Sequence, residues 1–90
     1  MNDETLKIFA YVKISSYREK ALMSLANGDK TPTQIANDAN IRVSHISKVL
    51  REFKDCGIAV CLNEEERRNR IYHLTPLGHE VLEIFDDLKS

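Results

Sequence analysis

Three residues, Asn40, Ile41 and Arg42, separate two stretches that each carry helical patterning, and that brevity most restricts what this chain can fold into. The first stretch, "TPTQIANDA", opens with Thr31 as an N-cap and Pro32 at the first helical position. Gln34 lies at the reciprocal capping-box spacing from Thr31. Ile35, Ala36 and Ala39 form its inward side, and Asn40 suits a tight turn because asparagine tolerates the left-handed conformation. The second stretch runs from about Val43 to Asp55. Ile46, Val49, Leu50 and Phe53 fall within one arc at ~100° per residue, while Ser44, Lys48 and Arg51 fall on the opposite arc. Gly57 stops this helix.

Other elements follow from the same signals. "ETLKIFAYVKI" places Leu6, Phe9 (or Ala10) and Lys13 at helical spacing, although its β-branched and aromatic content leaves a strand open. "SSYREKALMSLANG" has a capping Ser15 or Ser16, an apolar stripe of Ala21, Leu22 and Leu25, and Gly28 where a helix stops. "GIAVCLN" and "RIYHL" are strand-like runs separated by the charged "EEERRN". They read as a hairpin in which Asn69 suits a turn with positive φ. "TPLGHEVLEIFDDLK" then repeats the Thr-Pro helix start. The expected fold is mainly α with a small β-hairpin (α+β). Residues 1–90 form a single domain, with 1–14 a helix or arm and 76–90 a final helix.

Composition removes several classes of function. At 42% hydrophobic and 30% charged residues the chain is an ordinary globular sequence, and no apolar run reaches the ~20 residues of a membrane span. "MNDETLK" lacks a secretory pattern, so a cytoplasmic setting with Cys56 and Cys61 as free thiols is expected. Cys56, Cys61, His73 and His79 lack the close spacing of a structural zinc site, and neither a metal nor a cofactor is expected. There is no glycine-rich phosphate loop, nucleophile elbow or His/carboxylate constellation, so the chain is not expected to be an enzyme. The formal net charge of -1 hides local differences. Residues 42–55 hold Arg42, Lys48, Arg51 and Lys54 against Glu52 and Asp55, a net of +2. Residues 76–90 hold Glu80, Glu83, Asp86 and Asp87 against Lys89, a net of -3.

The order of elements, the pattern "TPTQIANDANIRVSHISKVLREFKDCG", the far hairpin strand "RIYHLT" and the "LTPLG" after it resemble winged helix-turn-helix transcriptional regulators. The likeness is to bacterial and archaeal regulators of the MarR-like and ArsR-like kind, and it spans roughly residues 16–88. It implies a regulator that binds double-stranded DNA. The helix near 43–55 would enter the major groove, and the wing at 58–74 would touch flanking backbone or minor groove. The implied DNA-facing residues are Thr33, Arg42, Val43, Ser44, His45, Ser47, Lys48 and Arg51, with Arg67, Arg68 and Arg70 on the wing. Their chemistry agrees: arginine and lysine donate to guanine edges or phosphates, serine serves either, and valine can meet a thymine methyl.

The chain departs from the family pattern at three places. Arg42 stands where such regulators carry a capping Ser or Thr, so the cap is weaker or Ser44 supplies it from a shifted start. Asn69 replaces a wing-tip glycine. Glu64, Glu65 and Glu66 would repel phosphates unless they pair with the three arginines or point away. The stripe Leu77, Val81, Ile84, Phe85 and Leu88 offers more apolar surface than one short domain readily covers. A homodimer seam built from Val81, Ile84, Phe85 and Leu88 with Phe9 and Val12 is therefore expected, matching two-fold DNA half-sites. The alternative is a winged-helix module that binds protein without sequence-specific DNA recognition. RNA binding lacks an exposed aromatic platform. No pattern points to a particular small-molecule effector.

Overall fold

Most helices begin where a side chain accepts their free amides. In the computed structural model, which describes residues 2–89, the order is α1 (Asp3–Lys13), α2 (Ser16–Leu25), α3 (Pro32–Ala39), α4 (Val43–Cys56), β1 (Ala59–Cys61), β2 (Tyr72–Leu74) and α5 (Pro76–Lys89). Asn2 Oδ1 accepts from the Thr5 amide at 2.8 Å, and Ser15 Oγ accepts from the Arg18 amide at 3.3 Å. At α3 the expected capping box closes in both directions. Thr31 Oγ1 accepts from the Gln34 amide at 3.2 Å, and Gln34 Oε1 accepts from the Thr31 amide at 2.9 Å. α4 is the exception: Arg42 sits at its N-cap and no side chain, Ser44 included, caps it. The fold class is as expected, α+β, with β1 and β2 antiparallel and Val60 opposite His73.

Turns form where left-handed residues were expected. Asn40 has φ 57° between α3 and α4, Asn69 has φ 55° in the wing, and Gly57 has φ 84° after α4. The first segment is a helix, which excludes the strand reading, but its inward arc is not Leu6, Phe9 and Lys13. Thr5, Ile8 and Val12 are the buried residues of α1. A polar residue can be buried there because the Thr5 hydroxyl donates to Asn2 Oδ1 at 2.9 Å. The core arc is thereby turned away from Leu6, which is exposed.

The hairpin gains a partner that the sequence does not announce. Lys30, just before α3, pairs with Tyr72: the Lys30 amide donates to the Tyr72 carbonyl at 3.2 Å, and the Tyr72 amide donates back at 2.8 Å. This one-residue bridge fastens the wing's base to the start of α3. Beneath it, Leu22, Ile35, Ile46, Leu50, Phe53, Ile58 and Val81 form the fully buried centre.

The C-terminal stripe is covered differently from expectation. α5 folds back against α1, with the Phe9 and Phe85 rings 4.7 Å apart. Val81 and Val12 are completely buried, and Phe85 and Ile84 nearly so, leaving Leu88 66% exposed. The chain thus covers most of this surface itself, because α1 supplies a second helix for the stripe to pack against.

The start of α5 explains the glycine of "LTPLG". Thr75 Oγ1 accepts from the Gly78 amide at 3.1 Å and donates to the Gly57 carbonyl at 2.6 Å, so one hydroxyl caps α5 and ties it to the end of α4. The first turn of α5 then lies on the chain at Ile58, where a Cβ on residue 78 would stand 2.3 Å from the Ile58 carbonyl oxygen. That oxygen already accepts from the Thr75 amide at 3.1 Å. Gly78→Ala is expected to destabilise the fold by about 1–3 kcal/mol, the cost of overpacking. Denaturant unfolding measures this, and an unchanged midpoint would mean that α5 can lift from β1 without loss.

Candidate nucleic-acid interface

α4 is rotationally fixed by two kinds of contact. Ile46, Val49, Leu50 and Phe53 are buried, whereas Val43, Ser44, His45, Ser47, Lys48, Arg51 and Lys54 are exposed. Between these arcs Glu52 receives a two-pronged hydrogen bond from Arg18 on α2, Nε to Oε1 at 3.2 Å and Nη2 to Oε2 at 3.1 Å. Arg18 also donates to the Tyr11 carbonyl at 3.0 Å and lies over the Tyr11 ring, 3.7 Å from its centroid. One guanidinium therefore joins α1, α2 and α4. The hydrogen bond from Arg18 holds the Glu52 carboxyl below the usual glutamate range, and the same bond raises Arg18. Paired and half-buried, Glu52 does not offset the cations on the free arc.

The wing, the start of α3 and the middle of α4 enclose a cleft of about 530 Å³. Thr31, Thr33, Ser47, Arg51, Lys54, Arg67, Arg68 and Arg70 line it together with Pro32, Asn69 and Tyr72, and no carboxylate does. Six of the residues expected to face DNA are thus brought together: Thr33, Ser47, Arg51, Arg67, Arg68 and Arg70. Val43, Ser44, His45 and Lys48 lie outside the cleft on the exposed surface of α4, and Arg42 is exposed at its N-cap. Lys54 was missed as a site residue. Its signal was available, because Ser47, Arg51 and Lys54 follow the i, i+4, i+7 spacing of one helical face. Tyr17 was also missed: its ring lies 5.1 Å from that of His45, tilted by 44°, beside the first turns of α4.

Of the two arrangements open to the acidic arm of the wing, pairing with the arginines is not found: among the described residues no ion pair joins Glu64, Glu65 or Glu66 to Arg67, Arg68 or Arg70. Glu64 instead forms an ion pair with Lys54. Arg70 turns inward, donating to the Glu66 carbonyl at 2.7 Å and the Glu64 carbonyl at 3.2 Å. Asn63 closes the loop, accepting from the Ile71 amide at 2.7 Å and donating to the Asn69 carbonyl at 3.2 Å. These bonds satisfy loop carbonyls internally and leave the exposed Arg67 and Arg68 side chains without a protein partner among the described residues.

The cysteines and histidines do not converge. Among the described residues no group of three or more His, Cys, Asp or Glu is placed to hold a metal ion. His73 Nδ1 pairs with Asp29 at 2.6 Å, and burial pushes the Cys56 thiol up, away from thiolate reactivity. No helix among the described residues is long and apolar enough to cross a membrane.

No family model matches this chain, and no curated protein matches it. Solved structures do. TubR bound to 24 bp of tubC, from Bacillus thuringiensis serovar israelensis pBtoxis, superposes with a TM-score of 0.82 at 20% identity, covering 97% of this chain and 95% of that one. The homodimeric winged helix-turn-helix DNA-binding domain of a possible ArsR-family regulator from Mycobacterium bovis gives 0.71 at 18% identity, covering 99% and 84%. A MarR family transcription regulator gives 0.67 at 26% identity, covering 92% of this chain but 62% of that longer one. The chain has the winged helix-turn-helix fold.

Because pairing lowers the folded-state pKa of Glu52, its stabilisation is fully present above the unfolded value of about 4.3 and is lost as pH falls through the folded value. Asp38, lowered first by its hydrogen bond from Lys30 and then by that from Ser24, acts in the same direction. The thermal midpoint is therefore expected to fall on acidification from about pH 5 downward. Glu52→Gln should lower the midpoint at neutral pH and make the acid limb shallower. Parallel acid limbs in wild type and variant would separate Glu52 from acid stability.

Proposed function

We propose that this chain is a cytoplasmic, non-enzymatic regulator of transcription that binds duplex DNA as a homodimer. The observation that carries this reading is the basic cleft shared by α4 and the wing, continuous with the free arc of α4 and lined by no carboxylate. An α-helix fits the major groove. Val43, Ser44, Ser47, Lys48 and Arg51 would meet base edges there, while Arg67 and Arg68 reach the flanking backbone or minor groove. Thr33, at the uncovered start of α3, adds a hydroxyl and a helix N-terminus on the same wall, both suited to a phosphate. TubR bound to tubC and ZitR of Lactococcus lactis in complex with DNA have the same fold.

A second reading shares the DNA but not the purpose. TubR is described as a protein of type III plasmid segregation, and it matches this chain over nearly the full length of both. A role in DNA segregation is therefore the companion proposal. Selection from a random duplex library separates the two readings by what is bound: one two-fold operator supports regulation, and a tandem array of short sites supports segregation. A folded protein that enriches no sequence favours the protein-interaction alternative.

The Lys48→Ala/Arg51→Ala double variant is expected to weaken binding to the selected duplex by roughly tenfold or more. Its thermal midpoint should stay near wild type, because both side chains are exposed. Unaltered affinity would remove α4 from the interface. For the dimer, the apolar groups still free beside the Phe9–Phe85 contact are Leu6, 47% exposed, and Leu88, 66% exposed, three residues from Phe9 and Phe85 respectively. These, rather than the buried Val12, Val81 and Phe85, are the proposed seam, with Phe9 and Ile84 at its floor. Sedimentation of the Leu6→Asp/Leu88→Asp variant should show folded monomers where wild type is dimeric. A persisting dimer would place the seam elsewhere.

A further inference from the structure

The ion pair between Lys54 and Glu64 crosses from the last turns of α4 to the acidic arm of the wing, at the mouth of the basic cleft. Lys54 is one of five cations lining that cleft, and Glu64 is not among the lining residues. The wing's own acceptors thus occupy two of the five. Arg70 is held by the carbonyls of residues 64 and 66, and Lys54 is held by the carboxylate of Glu64. These two engagements differ in kind. Carbonyls leave the charge of Arg70 in place, whereas a carboxylate cancels that of Lys54. Both partners remain substantially solvent-accessible, with side-chain exposures of 36% and 56%, so the pair can open at small cost.

We infer that Glu64 sets the affinity for DNA from within the chain, its carboxylate standing where a backbone phosphate would bind Lys54 and withholding that cation from the duplex. This rests on the DNA-binding reading above and deepens it. The contact gives a role to Glu64, the first carboxylate of the acid run in "EEERRNR". With Glu64 present, DNA binds with one phosphate fewer neutralised.

The test measures duplex affinity against salt for wild type, Glu64→Gln, Lys54→Gln and the double variant, on a duplex that wild type binds. Each additional neutralised phosphate steepens the dependence of log affinity on log salt by about 0.9, which corresponds to roughly eightfold tighter binding at about 0.1 M salt. Glu64→Gln is expected to show that steepening and that gain. In the Lys54→Gln background the same change should leave the slope where it was. Weaker binding by Glu64→Gln would show that Glu64 positions Lys54 rather than withholding it, and an unchanged slope would remove it from the interface. The same steepening without Lys54 would reduce Glu64 to general repulsion. Each of these overturns the inference while leaving DNA binding intact. Failure of wild type to bind any duplex overturns both. Circular dichroism confirms folding of each variant, and both positions are exposed, so folding is expected to persist.

Discussion

Burial of one arc of α4 is the constraint on which the rest of the molecule depends. Ile46, Val49, Leu50 and Phe53 are all removed from water, each contributing about 1.5–3 kcal/mol. They pack against α2, α3 and the strand that follows. Rotation of α4 by one residue would turn Phe53 or Leu50 toward solvent and bring a charge inward. The same burial therefore decides which side chains remain outside. Arg18 completes the restraint from the edge of the helix, because its paired bonds to Glu52 allow little roll. A reading surface needs that rigidity, since base contacts are lost when side chains wander.

The wing is positioned by backbone more than by side chains. Its base is bonded to Lys30 on one side and covered by α5 on the other, and α5 can reach it only because residue 78 has no Cβ. Thr75 connects this junction to the end of α4 through Gly57. The end of α4 and the wing thus share one hydrogen-bonded corner beside the cleft between them. Within the loop, Asn63 and Arg70 satisfy carbonyls that would otherwise need water, so a short hairpin of three-residue strands keeps a defined shape.

Local signals made much of this legible beforehand. The capping box at Thr31, the left-handed Asn40, Asn69 and Gly57, and the apolar arc of α4 all depend on residues close in sequence, and all are found. What escaped depends on distant partners. The inward arc of α1 is the local exception, since Thr5 is polar and yet buried, a possibility created by the Asn2 side chain three residues away. The C-terminal stripe looked too large for one domain because nothing in it shows that α1 will cover Val81 and Phe85. The Lys30–Tyr72 bridge involves one residue on one side and leaves no period to detect. At the site, spacing alone could have added Lys54, but its partner Glu64 belongs to the other side of a turn, and the sequence left open whether that carboxylate pairs with the arginines or points away.

A net charge of -1 sits on this surface without contradiction, because the charges are segregated. Glu80, Glu83, Asp86 and Asp87 all belong to α5, which contributes nothing to the lining of the cleft. At physiological salt the screening length is about 8 Å, so a phosphate inside the cleft responds to Arg51, Arg67 and Arg68 far more than to an exposed carboxylate on another helix. Asymmetry of this kind orients an approaching polyanion and limits attachment at other faces. A uniformly basic chain of this size would hold DNA everywhere equally. This one concentrates its attraction where α4 and the wing meet, and there the carboxylate of Glu64 reduces it by one charge.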